Sequence, residues 1–195
     1  MDSNSHSPNN PSDALALPRW LLGSCEESDP AAREIAQYFG EYREPLFRYL
    51  LVLLRSAAEA EDAAQESFLR LYQELRAQRR IDHVKSWLFR TGHNLAIDRH
   101  RTREGRCEDS LERAAFEVAD ERYPTSEETV LHQERLVMMR KAVDRLSGQQ
   151  RLCLHLRTQG FRYREIADIM HVSESTVCEN LRRGLTRLMK DLHDE

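Results

Sequence analysis

The sequence predicts an all-α fold: two small helical domains joined by a flexible acidic linker. Three observations predict it. Helix formers (Leu, Arg, Glu, Ala, Gln) dominate a chain with only 7 Gly and 6 Pro. Apolar residues recur at helical spacing, and no strand-like alternation of β-branched residues appears. Charge is also segregated along the chain. Residues 76–106 carry nine Arg or Lys against three acids, a net of +6. Residues 107–134 carry two against nine, a net of -7, and residues 135–190 carry twelve against five, a net of +7. Two basic blocks around an acidic one point to two nucleic-acid-facing modules and a solvated connector.

The predicted elements follow in order. Residues 1–30, rich in Ser, Asn, Pro and Asp, read as a disordered N-terminal extension. Within it, LALPRWLLG is an apolar patch that either docks on a surface or stays a loose arm. Residues 31–104 read as the first domain. AAREIAQYFGEYREPLFRYLLVLL supplies a long helix, with Gly40 and Pro45 as places for a bend. In the next helix Ala64, Phe68, Leu71 and Leu75 make one buried stripe, at steps of four, three and four. A third helix, VKSWLFRTGHNLAIDRHRTR, buries Trp87, Leu88, Leu95 and Ile97 and ends in a basic tail. Residues 105–130 read as the acidic linker and residues 131–190 as the second domain. A helix is expected from about Glu127 to Arg145, and another after Ser147, whose spacing to Gln150 is that of a capping box. Gly160 suits the position just past that helix.

Several functional classes drop out. No apolar run approaches membrane-spanning length, and the N-terminus lacks the basic-then-apolar order of a signal peptide, so a cytoplasmic location is expected. Cys25, Cys107, Cys153 and Cys178 form no Cys-x-x-Cys pair, which argues for free thiols and against a zinc knuckle. Cys153-Leu154-His155 reads as a buried helix face, not a metal edge. No catalytic constellation and no Gly-rich phosphate loop is present, so no enzyme activity, metal or cofactor is expected.

FRYREIADIMHVSESTVCENLRRGLTRLMKDL fits a helix-turn-helix. Ile166 and the small Ala167 lie in its first helix. His171 occupies the turn, where the backbone needs a positive φ that His adopts more readily than most residues. Ser173 is the expected N-cap of the second helix. Val177, Leu181, Leu185, Leu188 and Leu192 are its expected buried stripe. Ser175, Thr176, Cys178, Glu179, Arg182, Arg183 and Arg187 lie on the outward side. In a DNA-binding helix-turn-helix that side meets base edges, while flanking groups hold phosphates.

Three blocks in order then resemble the extracytoplasmic-function (ECF, group IV) RNA polymerase sigma factors of the sigma-70 family. AEAEDAAQESFLRLY resembles region 2.2, and VKSWLFRTGHNLAIDRHR resembles regions 2.3 and 2.4. LSGQQRLCLHLRTQGFRYREIADIMHVSESTVCENLRRGLTRL resembles region 4. The resemblance implies that Asp62, Gln65, Glu66 and Leu69 bind the clamp helices of core RNA polymerase. It implies that Arg90, His93, Asn94, Arg99 and Arg101 take part in capturing the melted −10 element. Basic and hydrogen-bonding groups suit exposed phosphates and unstacked bases. Trp87 reads as core, and Asp98 as an intramolecular ion-pair partner. Region 4 would read the −35 duplex through Ser175, Thr176, Cys178, Glu179, Arg182, Arg183 and Arg187. The implied partners are core polymerase, promoter DNA and an anti-sigma factor. The chain is expected to be monomeric when free of them, without membrane insertion. The acidic linker would either lie in the polymerase's RNA path or act as a solvated tether.

The sequence departs from the family in two places. The family often carries Lys or Arg where this chain has Cys178, Glu179 and Asn180. Glu can accept from cytosine N4 in the major groove, so an unusual −35 preference is expected. Where the family often has a Ser cap, this chain has Arg162, with Glu165 three residues later. Loss of a side-chain cap is worth about 0.5–2 kcal/mol, which suggests that Arg162 and Arg164 are kept to grip phosphates. Two alternatives stand beside this reading. One is a sigma mimic that binds an anti-sigma factor and no promoter; the other is a helix-turn-helix repressor.

Overall fold

The computed structural model describes the backbone of residues 30–104 and 127–193, and the side chains of 30–101 and 136–193. The expected N-terminal arm and residues 105–126 of the expected linker lie outside the described residues. The described chain folds into seven helices and no strands, as an all-α sequence should. They are α1 (Pro30–Leu54), α2 (Ala57–Arg76), α3 (Val84–Glu104), α4 (Glu127–Asp144), α5 (Gly148–Thr158), α6 (Tyr163–Met170) and α7 (Glu174–His193).

Helices α1–α3 form the first unit. α1 runs unbroken through Gly40 and Pro45, where the sequence suggests a bend. Leu46, Tyr49 and Leu50 just beyond are fully buried. Each such side chain contributes about 1.5–3 kcal/mol on burial, which offsets the missing Pro N–H. α2 starts at Ser56, whose hydroxyl accepts from the Glu59 backbone N–H. Its stripe is as expected at Ala64, Phe68 and Leu71, while Leu75 is half-buried. α3 crosses closely at Gly92. A Cβ there would lie 3.1 Å from Leu46 Cδ1 and 3.3 Å from Ser67 Oγ, so only hydrogen fits without a shift. α3 buries Leu88, Phe89 and Ala96 fully. Trp87, Leu95 and Ile97 are only half-buried, because the deepest face of α3 lies one residue round from the expected one.

Helices α4–α7 form the second unit. α5 opens on a full capping box: Ser147 Oγ accepts from Gln150 N, and Gln150 Oε1 accepts from Ser147 N at 3.0 Å. It closes at Gly160, whose φ of +87° suits glycine. His171 takes the left-handed conformation between α6 and α7, at φ 54° and ψ 42°. Ser173 Oγ accepts from Thr176 N at 3.1 Å, as an N-cap should. The buried stripe of α7 needs correction. Val177, Leu181, Gly184 and Leu188 are buried, whereas Leu185 and Leu192 are 48% and 41% exposed. The buried places run at steps of four, three and four, so Gly184 takes the inward place that Leu185, two successive steps of four from Val177, was expected to hold.

The two units pack on one another around a shared core. Phe89 of α3 meets Phe161, just before α6, edge-on at 5.0 Å between ring centres. Tyr49 of α1 lies 5.9 Å from the His155 ring of α5. Lys85 Nζ donates to the Gln159 carbonyl and stands over the Phe161 ring at 4.8 Å. Ser86 Oγ donates to Glu165 Oε1 at 3.3 Å.

Candidate nucleic-acid interface

Two faces carry the residues singled out for DNA, and the fold treats them differently. The first lies on the second helix of the helix-turn-helix. α6 presents Ile166, Ala167, Ile169 and Met170 inward, so α7 is seated on a packed base. Ser175, Cys178, Arg182, Arg183 and Arg187 are exposed, and Thr176, Glu179 and Asn180 are half-exposed on the same open side. Glu179 is shared by two arginines. Arg182 Nε donates to its Oε2 at 2.9 Å and Arg182 Nη2 to its Oε1 at 2.8 Å. Arg183 Nε also donates to Oε1. Arg182 first, then Arg183, hold the Glu179 carboxyl down to about 2. The early acidic residue is thus neutralised on its own helix, and the group keeps a net positive charge. Arg182, Arg183, Thr186, Arg187, Lys190 and Asp191 line a shallow surface groove along the same helix.

Arg162 and Arg164 are both exposed at the start of α6. Arg162 sits at the N-cap without accepting there, because a guanidinium has no acceptor. Half of a capping box survives: the Arg162 backbone N–H donates to Glu165 Oε2 at 2.7 Å. The expected loss of capping is therefore partly recovered.

The second face belongs to α3, and it looks inward at its centre. Arg90 and Arg101 are exposed. Arg99 donates to the Glu59 carbonyl at 2.8 Å, which ties it to the start of α2. His93, expected to face DNA, is buried at 5% exposure. Its Nδ1 lies 2.8 Å from the Tyr49 hydroxyl. Asn94 is exposed, but its Oδ1 accepts from His171 Nε2 of the second unit at 2.6 Å. His93 is buried because α3 turns it toward α1, and region-distant His171 closes over the same spot, their rings 6.2 Å apart.

The acidic face on α2 is open. Asp62 is exposed, and Gln65, Glu66 and Leu69 are half-exposed. Glu66 pairs with Arg70 at 2.8 Å, and Gln65 Nε2 donates to Glu61 at 3.3 Å. Glu61 in turn accepts from Arg43 at 2.9 Å, so this face is braced by a pair reaching into α1.

Sequence reasoning missed the groups that join the two units: Tyr49, Lys85, Ser86, His155 and Glu165. Their contacts span up to 79 residues, as from Ser86 to Glu165, and no local period marks them. Cys153 is buried in α5, 3.6 Å from Met170 Sδ. Among the described residues no cluster of His, Cys, Asp or Glu is arranged to hold a metal ion. None of the described helices is long and apolar enough to cross a membrane.

Comparison with known proteins adds a second line. Residues 38–106 match the family profile for Sigma-70 region 2, and residues 136–188 that for Sigma-70 region 4. The chain is 26% identical over 158 residues to the ECF RNA polymerase sigma factor SigX of Bacillus subtilis, covering 79% of this chain and 81% of that protein. It is 28% identical over 162 residues to SigW of the same organism, covering 78% and 86%. Among solved structures it resembles the sigma factor RpoE from Bartonella quintana, crystallised in complex with the anti-sigma factor NepR. The TM-score is 0.60 at 22% identity, over 83% of this chain and 98% of that one.

Proposed function

The chain belongs to the extracytoplasmic-function group of the sigma-70 family, and from that premise we propose how its two units divide the work of promoter recognition. A sigma factor is a subunit that directs core RNA polymerase to promoters; the polymerase performs the chemistry. The open α2 face of Asp62, Gln65, Glu66 and Leu69 is the docking site for core polymerase. Carboxylates and an amide on a rigid, braced helix suit Arg-rich partner helices, which bind such groups through charge-assisted hydrogen bonds.

α7 reads the −35 duplex. The observation that carries this assignment is the single open side of α7, where Ser175, Thr176, Cys178, Glu179, Arg182, Arg183 and Arg187 stand together on a capped, well-seated helix. Arg182 and Arg183 contact phosphate or guanine, and Glu179 orients both while remaining able to accept from cytosine. Arg162 and Arg164 hold phosphates from the helix that crosses the backbone. On α3, Arg90, Asn94, Arg99 and Arg101 engage the −10 strand; His93 joins them once the second unit moves away.

An anti-sigma factor is the proposed regulator. The exposed Leu185, Met189 and Leu192 along the end of α7 offer a partner an apolar strip. A cytoplasmic location follows from polymerase as partner. Run-off transcription with core polymerase on fragmented genomic DNA tests the whole reading. Promoter-dependent initiation is expected. Binding to an anti-sigma factor without initiation would favour the sigma mimic instead. Failure to bind core polymerase would favour the repressor.

A further inference from the structure

Three histidines meet where the second unit closes on the first. His93 comes from α3, His155 from α5, and His171 from the turn after α6. Tyr49 of α1 lies among them, its ring 6.1 Å from His93 and 5.9 Å from His155. We propose that His93 and His155, covered by His171, form a proton-sensitive latch: neutral, the two buried rings allow the second unit to close over the α3 face; protonated, they drive the units apart.

The geometry leaves no room for charge. The Nε2 of His155 is buried and has no hydrogen-bond partner, so a proton placed there would be an unsatisfied buried donor. His93 meets the Tyr49 hydroxyl at Nδ1, an arrangement suited to a neutral ring accepting that hydrogen. A charged His93 would also face His171 across 6.2 Å. The surrounding charges do not help. From α1 the latch is faced by Tyr49 and by Arg48, which already pairs with Glu44 at 2.6 Å. From α5 it is faced by the neutral Cys153 thiol, with Arg151 further along that helix beside Asp144 at 3.9 Å. From α3 it is faced by the amide of Asn94. Among the described residues, no carboxylate bonds to any of the three rings. Only the Pro45 carbonyl favours the charged form of His155.

Burial first, then the neighbouring His171, pushes His93 down to about 4; burial first pushes His155 to about 4, with Arg48 adding to it. The sign follows. A histidine held low when closed and near its ordinary value when open stabilises closure fully above about pH 6.5. That stabilisation is lost as pH falls toward 4. The two buried rings together would shift the closed-to-open ratio by up to about 100-fold between pH 7.5 and 5.5. The consequence for −10 capture rests on the sigma reading; the latch itself does not.

Cys153 and Cys178 provide the measurement. Cys153 is buried and faces Tyr49 across the boundary, while Cys178 is exposed. The full chain is treated with a methanethiosulfonate reagent, and the labelling rate of Cys153 is divided by that of Cys178. The division removes the common dependence of thiol reactivity on pH. We expect the ratio to rise about 10- to 100-fold from pH 7.5 to 5.5 with the far-UV helical signal unchanged. The rise should fall below about twofold in His93→Gln/His155→Gln, and should lose about a factor of ten in His155→Gln alone. A flat wild-type ratio overturns the latch without need of any variant. So does an undiminished rise in either variant, or a rise that accompanies loss of helical signal. A chain that initiates transcription but shows a flat ratio loses the latch and keeps its function. One that opens with acid but never initiates keeps the latch and loses the sigma reading.

Discussion

The two helices proposed to face DNA contrast sharply. α7 shows the side proposed for reading to solvent and settles its charges locally, with Glu179 clasped by Arg182 and Arg183. α3 shows Arg90 and Arg101 but ties Arg99 to α2, turns His93 inward and lends Asn94 to His171. One face is organised by neighbours three and four residues away. The other is organised by a partner 77 residues away. A face built from its own helix is available whenever the helix is folded. A face shared with another unit is available only when that unit departs. The α2 face proposed for polymerase is braced from α1 within its own unit, so on that proposal the closed chain can meet polymerase before its −10 groups are free.

The contrast can be tested from its strongest point outward. Phe161→Ala removes the ring that fills the joint against Phe89, and should destabilise the chain by about 3–5 kcal/mol in urea unfolding. It should also loosen the joint while leaving the α7 caps intact. If the loss is well under 1 kcal/mol, the shared core is not a true joint. Next comes Glu179→Gln, which frees two arginines without changing shape. Selection from randomised −35 sequences should show an altered preference, with discrimination changing by about 1–3 kcal/mol at the affected base pair. An unchanged preference would make Glu179 a plain solvent-facing group. Ser147→Ala removes one half of the α5 capping box and should lower stability by about 1 kcal/mol. Arg162→Ala should be the mildest. Stability should change little, because the capping bond uses the Arg162 backbone and survives. Promoter binding should weaken evenly across sequences, with the salt slope falling by about one. An unchanged slope would remove Arg162 from the phosphate contacts.

Acid should affect the two faces differently as well. Glu179 is held to about 2 by exposed arginines, so its pairing persists above its ordinary range and fades only as pH falls toward 2. The histidines at the joint respond in the window between about 6.5 and 4. Between pH 7.5 and 5.5, therefore, −35 duplex binding by α7 should hold while the joint opens. Fluorescence anisotropy with a −35 duplex at both pH values checks the first half of that statement.

Much of this was legible before any coordinates. Short-range rules found the Ser147 capping box, the Gly160 helix end, the left-handed His171 and the Ser173 cap, because each depends on residues within four positions. The same rules found the outward side of α7. They misplaced Leu185 and Leu192, since a stripe counted in threes and fours cannot say which of two adjacent rows meets a neighbour. The family resemblance, in turn, implied that His93 faces DNA, whereas it is buried. Nothing within one turn of His93 announces Tyr49, which arrives from 44 residues away.

The sequence determined the helices, their caps, the helix-turn-helix and the family, because periodicity, capping chemistry and motif order are written in neighbouring residues. The burial of His93, the orphaned nitrogen of His155 and the closure of one unit over the other were set by packing. They depend on which apolar faces meet in space, and side chains remote in the chain become partners only once those faces have met.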